Sequence, residues 1–455
     1  MPTPRLRVAI VGAGPAGIYA ADILSKSVDA SIDLFEQLPA PYGLVRYGVA
    51  PDHPRIKGII LALYKVLQRG DIRLLGNVEY GRDITMEDLE THYDAVIFAT
   101  GAIRDAELNI PGVDLPGSYG AADFVSWYDG HPDSPRTWPL EAEKVAVIGN
   151  GNVALDVARV LAKDVEDMLS TEIPANVEAD LRTNPITDVH IIGRRGPAQA
   201  KFSPLELREL GQVPGVDVIV YDEDFEFDEG SENALESSNI TRQVVKTLTD
   251  WTLRKPQGHP RRVHLHFLHN PVEILGQDRV QGLRTERTTL TGDGNVKGTG
   301  TFHEFDVQAV YRAVGYFGSP LAHVPFDPVR GVIPNEAGRI IDNNQSKPRA
   351  YATGWIKRGP VGLIGSTKSD AAETVRSLLE DFDAGHRPAP VREDEAILEL
   401  LDQGGVRYTT WQGWERLDAY ERALGEAAGR ERIKVVPRED MTRISLAEKA
   451  ANISN

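Results

Sequence analysis

Two glycine-rich turns, each set between a buried strand and a helix, constrain this chain more than any other feature. The first is Gly12-Ala13-Gly14-Pro15-Ala16-Gly17, preceded by the apolar run Arg7-Val8-Ala9-Ile10-Val11. The second is Gly149-Asn150-Gly151-Asn152-Val153-Ala154, preceded by Lys144-Val145-Ala146-Val147-Ile148. In such a fingerprint the first glycine permits the tight turn, the second lets backbone approach a pyrophosphate, and the third position sets how closely helix and strand pack. The pyrophosphate then meets free N–H groups at a helix N-terminus.

The strands that follow the two turns end differently. Ser31-Ile32-Asp33-Leu34-Phe35-Glu36 ends in an acid, 24 residues past Gly12, close to the usual spacing of about 20. Val189-His190-Ile191-Ile192-Gly193 ends in two bases, Arg194 and Arg195. An acid hydrogen-bonds a free ribose 2′-hydroxyl, whereas arginine accepts a 2′-phosphate through a planar fork. The contrast points to FAD at the first turn and NADP(H) at the second.

The expected fold class is therefore α/β, with two dinucleotide-binding, Rossmann-like domains. Ala99-Thr100-Gly101 closes one buried strand, and Ala352-Thr353-Gly354 repeats that ending far downstream. The repeat suggests that the last third returns to the first domain and that the second nucleotide unit is inserted into it. The expected boundaries are 1–104 for the first part of the FAD domain, 105–317 for the NADP domain and 318–455 for the second part of the FAD domain. The tail from Asp394 reads as helices and an extension.

The chain has 455 residues and no cysteine. Disulfides, thiolate metal sites, iron–sulfur clusters and a redox-active cysteine pair are thereby removed, which argues against a disulfide reductase. No metal ligand is expected. The formal net charge of −17 disfavours nucleic-acid binding. No apolar run approaches the roughly 20 residues needed to cross a membrane, and a cytoplasmic enzyme is the expectation.

Further candidates carry two readings each. His53, between Pro51 and Pro54 in a stiffened loop, is either a structural loop histidine or a proton relay to a reduced flavin. Glu206 and Glu209 share a helix face by their spacing of three, which reads first as a solvated face. Trp355, beside a glycine-rich turn, either covers a flavin ring or packs in a core. The stretch from Asp222 to Glu236 holds eight acids and no base and reads as a solvated loop or sheet rim. From Asn239 to His266 the sign inverts, with six bases against Asp250, and Arg242 and Lys246 four apart. That segment is either a docking patch for an acidic partner or a solvated helix.

Gly43-Leu44-Val45-Arg46, Gly48-Val49-Ala50-Pro51-Asp52-His53-Pro54, the run from Gly149 to Arg159, Gly193-Arg194-Arg195-Gly196-Pro197, Leu205-Glu206-Leu207-Arg208-Glu209-Leu210 and Gly354-Trp355-Ile356-Lys357-Arg358-Gly359-Pro360 together resemble the adrenodoxin reductase family, in particular actinobacterial NADPH–ferredoxin reductases. The resemblance covers nearly the whole chain in order. It implies an FAD-containing ferredoxin–NADP(+) reductase, with hydride transfer between NADPH and FAD and then single-electron transfer to ferredoxin. It implies FAD contacts at Ala16, Glu36, Leu44, Tyr80, Trp355, Gly362, Leu363 and Ile364. It implies NADP contacts at Asn150, Gly151, Asn152, Val153, Arg194, Arg195 and Glu206. His53 and Glu209 take supporting roles in proton or hydride chemistry, and ferredoxin docks near Arg242 and Lys246. A flavin-dependent monooxygenase and a non-catalytic flavoprotein redox sensor are the alternatives.

Overall fold

A computed structural model describes residues 5–343, 345–361, 364–385 and 393–447. The chain divides into two compact units. One comprises Met1–Arg104, Asp129–Asp133 and Tyr316–Asn455; the other comprises Asp105–Tyr128 and Ser134–Gly315.

The first unit is built on a seven-stranded sheet. Its strands run in the order Asn335–Glu336, Arg339–Asp342, Gln345–Ala352, Ala95–Phe98, Leu6–Val11, Ala30–Glu36, Ile72–Gly76. The last five are mutually parallel, and the first two add an antiparallel edge. Every residue of Leu6–Val11 is buried, as a central parallel strand covered on both faces requires. Strand Gln345–Ala352 joins the sheet beside Ala95–Phe98, with Ala350 opposite Val96. The chain thus returns to its first sheet after the second unit.

On one face, helix Pro15–Ser27 packs with helix Ile364–Asp383 through a core that includes Ile18, Leu24, Ala371 and Val375. Helix Trp411–Ala427, in the C-terminal tail, joins that core through Trp414, edge-on to Tyr42 at 5.5 Å. The same helix buries Glu421 between Arg46 at 2.5 Å and Arg432 at 3.0 Å. The tail is thus an integral layer of this unit, held by a fully buried charge network.

The second unit has a six-stranded parallel sheet in the order Ser118–Gly120, Ala309–Arg312, Lys144–Ile148, Asp188–Ile192, Arg261–His266, Val216–Val220. A three-stranded antiparallel sheet, His269–Leu275, Gly282–Leu290 and Val296–Phe305, packs on it through Ile274, Leu283 and Phe305.

One expectation fails here. The acid-rich stretch is not all loop or rim: its second half forms the helix Glu229–Ser237. Three of its acids, Asp224, Glu226 and Asp228, have structural partners. Asp228 caps the helix by accepting the Ser231 amide at 2.8 Å. Asp224 is buried, accepts the Phe267 amide at 2.9 Å and pairs with Arg287. Local charge density could not reveal those partners, because Phe267 and Arg287 are distant in sequence.

Candidate nucleotide-binding sites

The first glycine turn is shaped by close backbone approaches. Gly12 has φ +111°, and a β-carbon there would fall 2.5 Å from the Ala99 carbonyl oxygen. A β-carbon on Gly17 would fall 1.9 Å from the Gly12 carbonyl oxygen. Helix Pro15–Ser27 starts at Gly14 without a side-chain cap, so among the described residues its first-turn N–H groups have no side-chain acceptor. Proline at its first position suits this start, since its missing N–H would be an orphan there.

Glu36 is buried behind the turn. Its carboxylate accepts the Ala13 amide at 2.9 Å and the Leu38 amide at 3.1 Å. Burial pushes the carboxyl up to about 7, against the pull of those two amide donors. Two other segments close on the turn. Gly43, at φ +49°, brings its neighbour Leu44 beside Gly14, since a β-carbon on Gly43 would lie 3.1 Å from the Gly14 Cα. Gly354, at φ +76°, sets the Trp355 turn against Ala16, where its β-carbon would fall 2.6 Å from the alanine methyl.

Asp370, which no sequence pattern singles out, holds that second segment. It accepts the Gly354 amide at 2.5 Å and the Thr353 hydroxyl at 3.2 Å, and pairs with Lys357 at 3.1 Å. Its partners lie 13–17 residues upstream, beyond the reach of local periodicity. Ala16, Glu36, Leu44 and Trp355 are thus gathered around one helix N-terminus. Tyr80 packs edge-on against Phe98 at 5.3 Å, and its hydroxyl donates to the Ala322 carbonyl at 2.7 Å. Gly362 and Leu363 lie outside the described residues; Ile364 opens the helix Ile364–Asp383. His53 is buried, its amide donating to the Ala50 carbonyl at 3.1 Å.

The second turn repeats the construction. Gly149 has φ +150°, and a β-carbon there would fall 2.2 Å from the Ala313 carbonyl oxygen. Helix Asn152–Ala162 starts at Gly151 with no side-chain cap, and a β-carbon on Gly151 would meet nothing within 4 Å. Open space in front of an uncapped helix suits an anionic group. Both polar atoms of the Asn150 amide are buried without a hydrogen-bond partner among the described residues. Such an orphan is costly unless a ligand completes it. Asn152 faces another way in part: its Oδ1 accepts the Ser203 amide at 2.7 Å. Val153, like Gly151 and Asn152, is half-buried.

Arg194 is exposed and Arg195 half-buried, and neither guanidinium has a hydrogen bond or ion pair among the described residues. Their backbone is fixed instead. The Arg194 carbonyl accepts the Thr288 hydroxyl at 2.9 Å, and that of Arg195 accepts the Leu268 amide at 3.1 Å. Two cations on a rigid turn, with no protein anion assigned, suit a phosphate.

Helix Pro204–Leu210 corrects the reading of its acids as a solvated face. Glu206 is 6% exposed and Glu209 is half-buried. Ser203 caps this helix by accepting the Glu206 amide at 3.2 Å. The first half of the basic segment forms helix Asn239–Thr252, but its two candidate residues are engaged. Arg242 donates to the carbonyls of Leu235 and Glu236 at 2.6 and 2.8 Å, and Lys246 pairs with Asp250 at 2.8 Å.

Comparison with known proteins agrees with this geometry. Residues 6–202 match the pyridine nucleotide-disulphide oxidoreductase family. With no cysteine, the chain shares that family's nucleotide-binding frame without its disulfide chemistry. The chain is 42% identical over 450 residues to the NADPH-ferredoxin reductase FprA of Mycobacterium leprae, covering 96% of this chain and 98% of that protein. It is 36% identical over 461 residues to the mitochondrial NADPH:adrenodoxin oxidoreductase of Bos taurus, covering 97% and 92%. The solved structure of Mycobacterium tuberculosis FprA in complex with NADPH superposes with a TM-score of 0.90 at 40% identity, covering 97% of this chain and all of that one.

Proposed function

The chain belongs to the NADPH–ferredoxin reductase family that holds the mycobacterial FprA proteins and the mitochondrial adrenodoxin reductases, and on that premise we propose how its residues divide the work of an FAD-containing ferredoxin–NADP(+) reductase. The observation that carries the division is the pair of uncapped fingerprint helices with opposite partners, Glu36 at one and Arg194 with Arg195 at the other. Residues 1–104 and 318–455 hold FAD, and residues 105–317 hold NADP(H).

Bound FAD supplies acceptance of a hydride from NADPH and delivery of single electrons to an iron–sulfur protein. The chain positions and selects. The first-turn amides beside Gly12, Gly14, Ala16 and Gly17 bind the FAD pyrophosphate, and Glu36 accepts a ribose hydroxyl. Leu44 and Trp355 border the same site. On the NADP side, the helix that begins at Asn152 takes the pyrophosphate and Asn150 completes its amide on the ligand. Arg194 and Arg195 take the 2′-phosphate, with Glu206 and Glu209 on the adjacent short helix. His53 and Glu209 hold or move protons near the reacting groups, and an iron–sulfur ferredoxin accepts the electrons.

No helix among the described residues is long and apolar enough to cross a membrane. A cytoplasmic setting is part of the same proposal, since NADPH is an intracellular donor. The test is ferredoxin-dependent cytochrome c reduction by the FAD-loaded protein with NADPH. Activity that requires both ferredoxin and NADPH supports the reading; NADPH oxidation tied to substrate hydroxylation would favour a monooxygenase instead.

A further inference from the structure

A group of histidines in the second unit has no part in the nucleotide chemistry. His190 lies on strand Asp188–Ile192, and His264 and His266 on the neighbouring strand Arg261–His266. The parallel register places His264 directly opposite His190. Residues two apart on a strand share a face, so all three imidazoles project from the same side of the sheet. Their nitrogen atoms lie within 4.8 Å of one another. His190 Nδ1 and His266 Nε2 share a hydrogen bond at 3.0 Å, and the rings of His190 and His264 stack at 4.5 Å.

The third ring is held by a carboxylate. His264 Nε2 lies 2.9 Å from Asp188 Oδ1, so Nε2 carries the proton and the lone pair sits on Nδ1. The Tyr221 hydroxyl donates to that Nδ1 at 2.8 Å. A carboxylate on the outer nitrogen is the arrangement that fixes tautomer and orientation in metal-ligating histidines. The nearby cations have partners of their own. Arg262 is paired with Asp188 at 2.7 Å, Arg287 with Asp224, and Lys144 with Asp306 at 3.1 Å.

We propose that His190, His264 and His266 form a binding site for one divalent transition-metal ion of the zinc, cobalt and nickel class, with Asp188 as the group that orients His264. The metal replaces the hydrogen bond between His190 and His266. The proton of that bond moves to the outer nitrogen of its own ring, so none is released. The Tyr221 hydroxyl leaves His264 Nδ1, and water fills the fourth position of a three-histidine site. Local sequence spacing could not show this set, because only the register joins residue 190 to residues 264 and 266. The site adjoins the arginine turn through backbone, since the Gly193 amide donates to the His266 carbonyl at 2.8 Å.

The test is titration of the FAD-loaded protein with zinc chloride, and with cobalt chloride followed by visible absorption outside the flavin bands. One equivalent of ion is expected to bind, with cobalt giving the intense bands of a four-coordinate site. His190→Gln should weaken zinc binding by more than the roughly 10–100-fold that loss of an orienting partner costs. X-ray absorption of zinc-loaded wild-type protein needs no variant, and should show imidazole ligation at about 2.0–2.1 Å. An oxygen-only ligand shell, affinity unchanged in His190→Gln, or no binding at all would overturn the proposal.

Discussion

Glu36 is tied to Ala13: the carboxylate that ends the second strand accepts the amide in the middle of the first glycine turn, at 2.9 Å. The acid proposed to hold a ribose therefore also fixes the glycine turn. Burial raises its carboxyl from 4.5 to about 7. A carboxyl raised on folding contributes stability that is fully present below its unfolded value and is lost as pH rises through the folded value. Apoprotein stability from this group should fall between about pH 4.5 and 7. A ribose hydroxyl donates to the ionised form, so FAD affinity should rise over the same window. Denaturation of apoprotein and FAD titration across that range measure both trends, and Glu36→Gln should flatten them. Trends that persist in Glu36→Gln would assign them to another group.

Among the described residues the guanidiniums of Arg194 and Arg195 are unengaged, on a turn whose backbone is fixed by Thr288 and Leu268. A hydrogen bond to a charged group is worth roughly 1.5–3 kcal/mol, so Arg195→Ala should lower kcat/KM for NADPH by about 10–150-fold. NADH lacks the phosphate and should be affected little. Steady-state kinetics with both donors decide it, and equal losses with each would refute the assignment.

The two glycine turns should fail separately. Gly149→Ala places a β-carbon 2.2 Å from the Ala313 carbonyl oxygen, at φ +150°. Gly12→Ala meets Ala99 at 2.5 Å. Strain of this kind costs roughly 1–3 kcal/mol, or about 5–150-fold in affinity. Gly149→Ala should retain FAD and raise the KM for NADPH, whereas Gly12→Ala should lose FAD. FAD-to-protein ratios and NADPH kinetics would refute the two-site division if both variants damaged the same cofactor.

Docking of ferredoxin on helix Asn239–Thr252 is best tested at Lys246. Arg242→Glu would also remove donors from the Leu235 and Glu236 carbonyls and so disturb the preceding helix. Lys246 is exposed, with only an exposed pair to Asp250 to lose. At low salt Lys246→Glu should slow ferredoxin reduction roughly 5-fold, the scale of one exposed charge pair, and leave small-dye reduction unchanged. The difference should shrink as salt screens it. Identical ferredoxin kinetics at low salt would remove this helix from the docking surface.

The parts of the molecule that could be read in the sequence are those whose cause is local. A fingerprint needs glycine at fixed positions, and its helix and acid follow within one βαβ unit, so Gly12, Glu36 and Gly149 announced themselves. The repeated Ala-Thr-Gly ending announced the return of strand Gln345–Ala352, because both strands close in the same way. Long-range partners stayed hidden. Glu206 looked solvated but is buried, and no local pattern marked Asp370, which holds Gly354. Asp224 looked like part of a solvated run because its partners Phe267 and Arg287 are distant in sequence.

The central claim is that NADPH reduces the flavin of this protein and that ferredoxin removes the electrons singly. Anaerobic flavin absorbance tests it most directly, first on addition of one equivalent of NADPH or NADH, then on addition of oxidised ferredoxin. The account predicts rapid bleaching by NADPH, far slower bleaching by NADH, and recovery of the flavin band with two one-electron ferredoxins per NADPH. Equal bleaching by both nucleotides, or a reduced flavin that ferredoxin leaves unchanged, would contradict it.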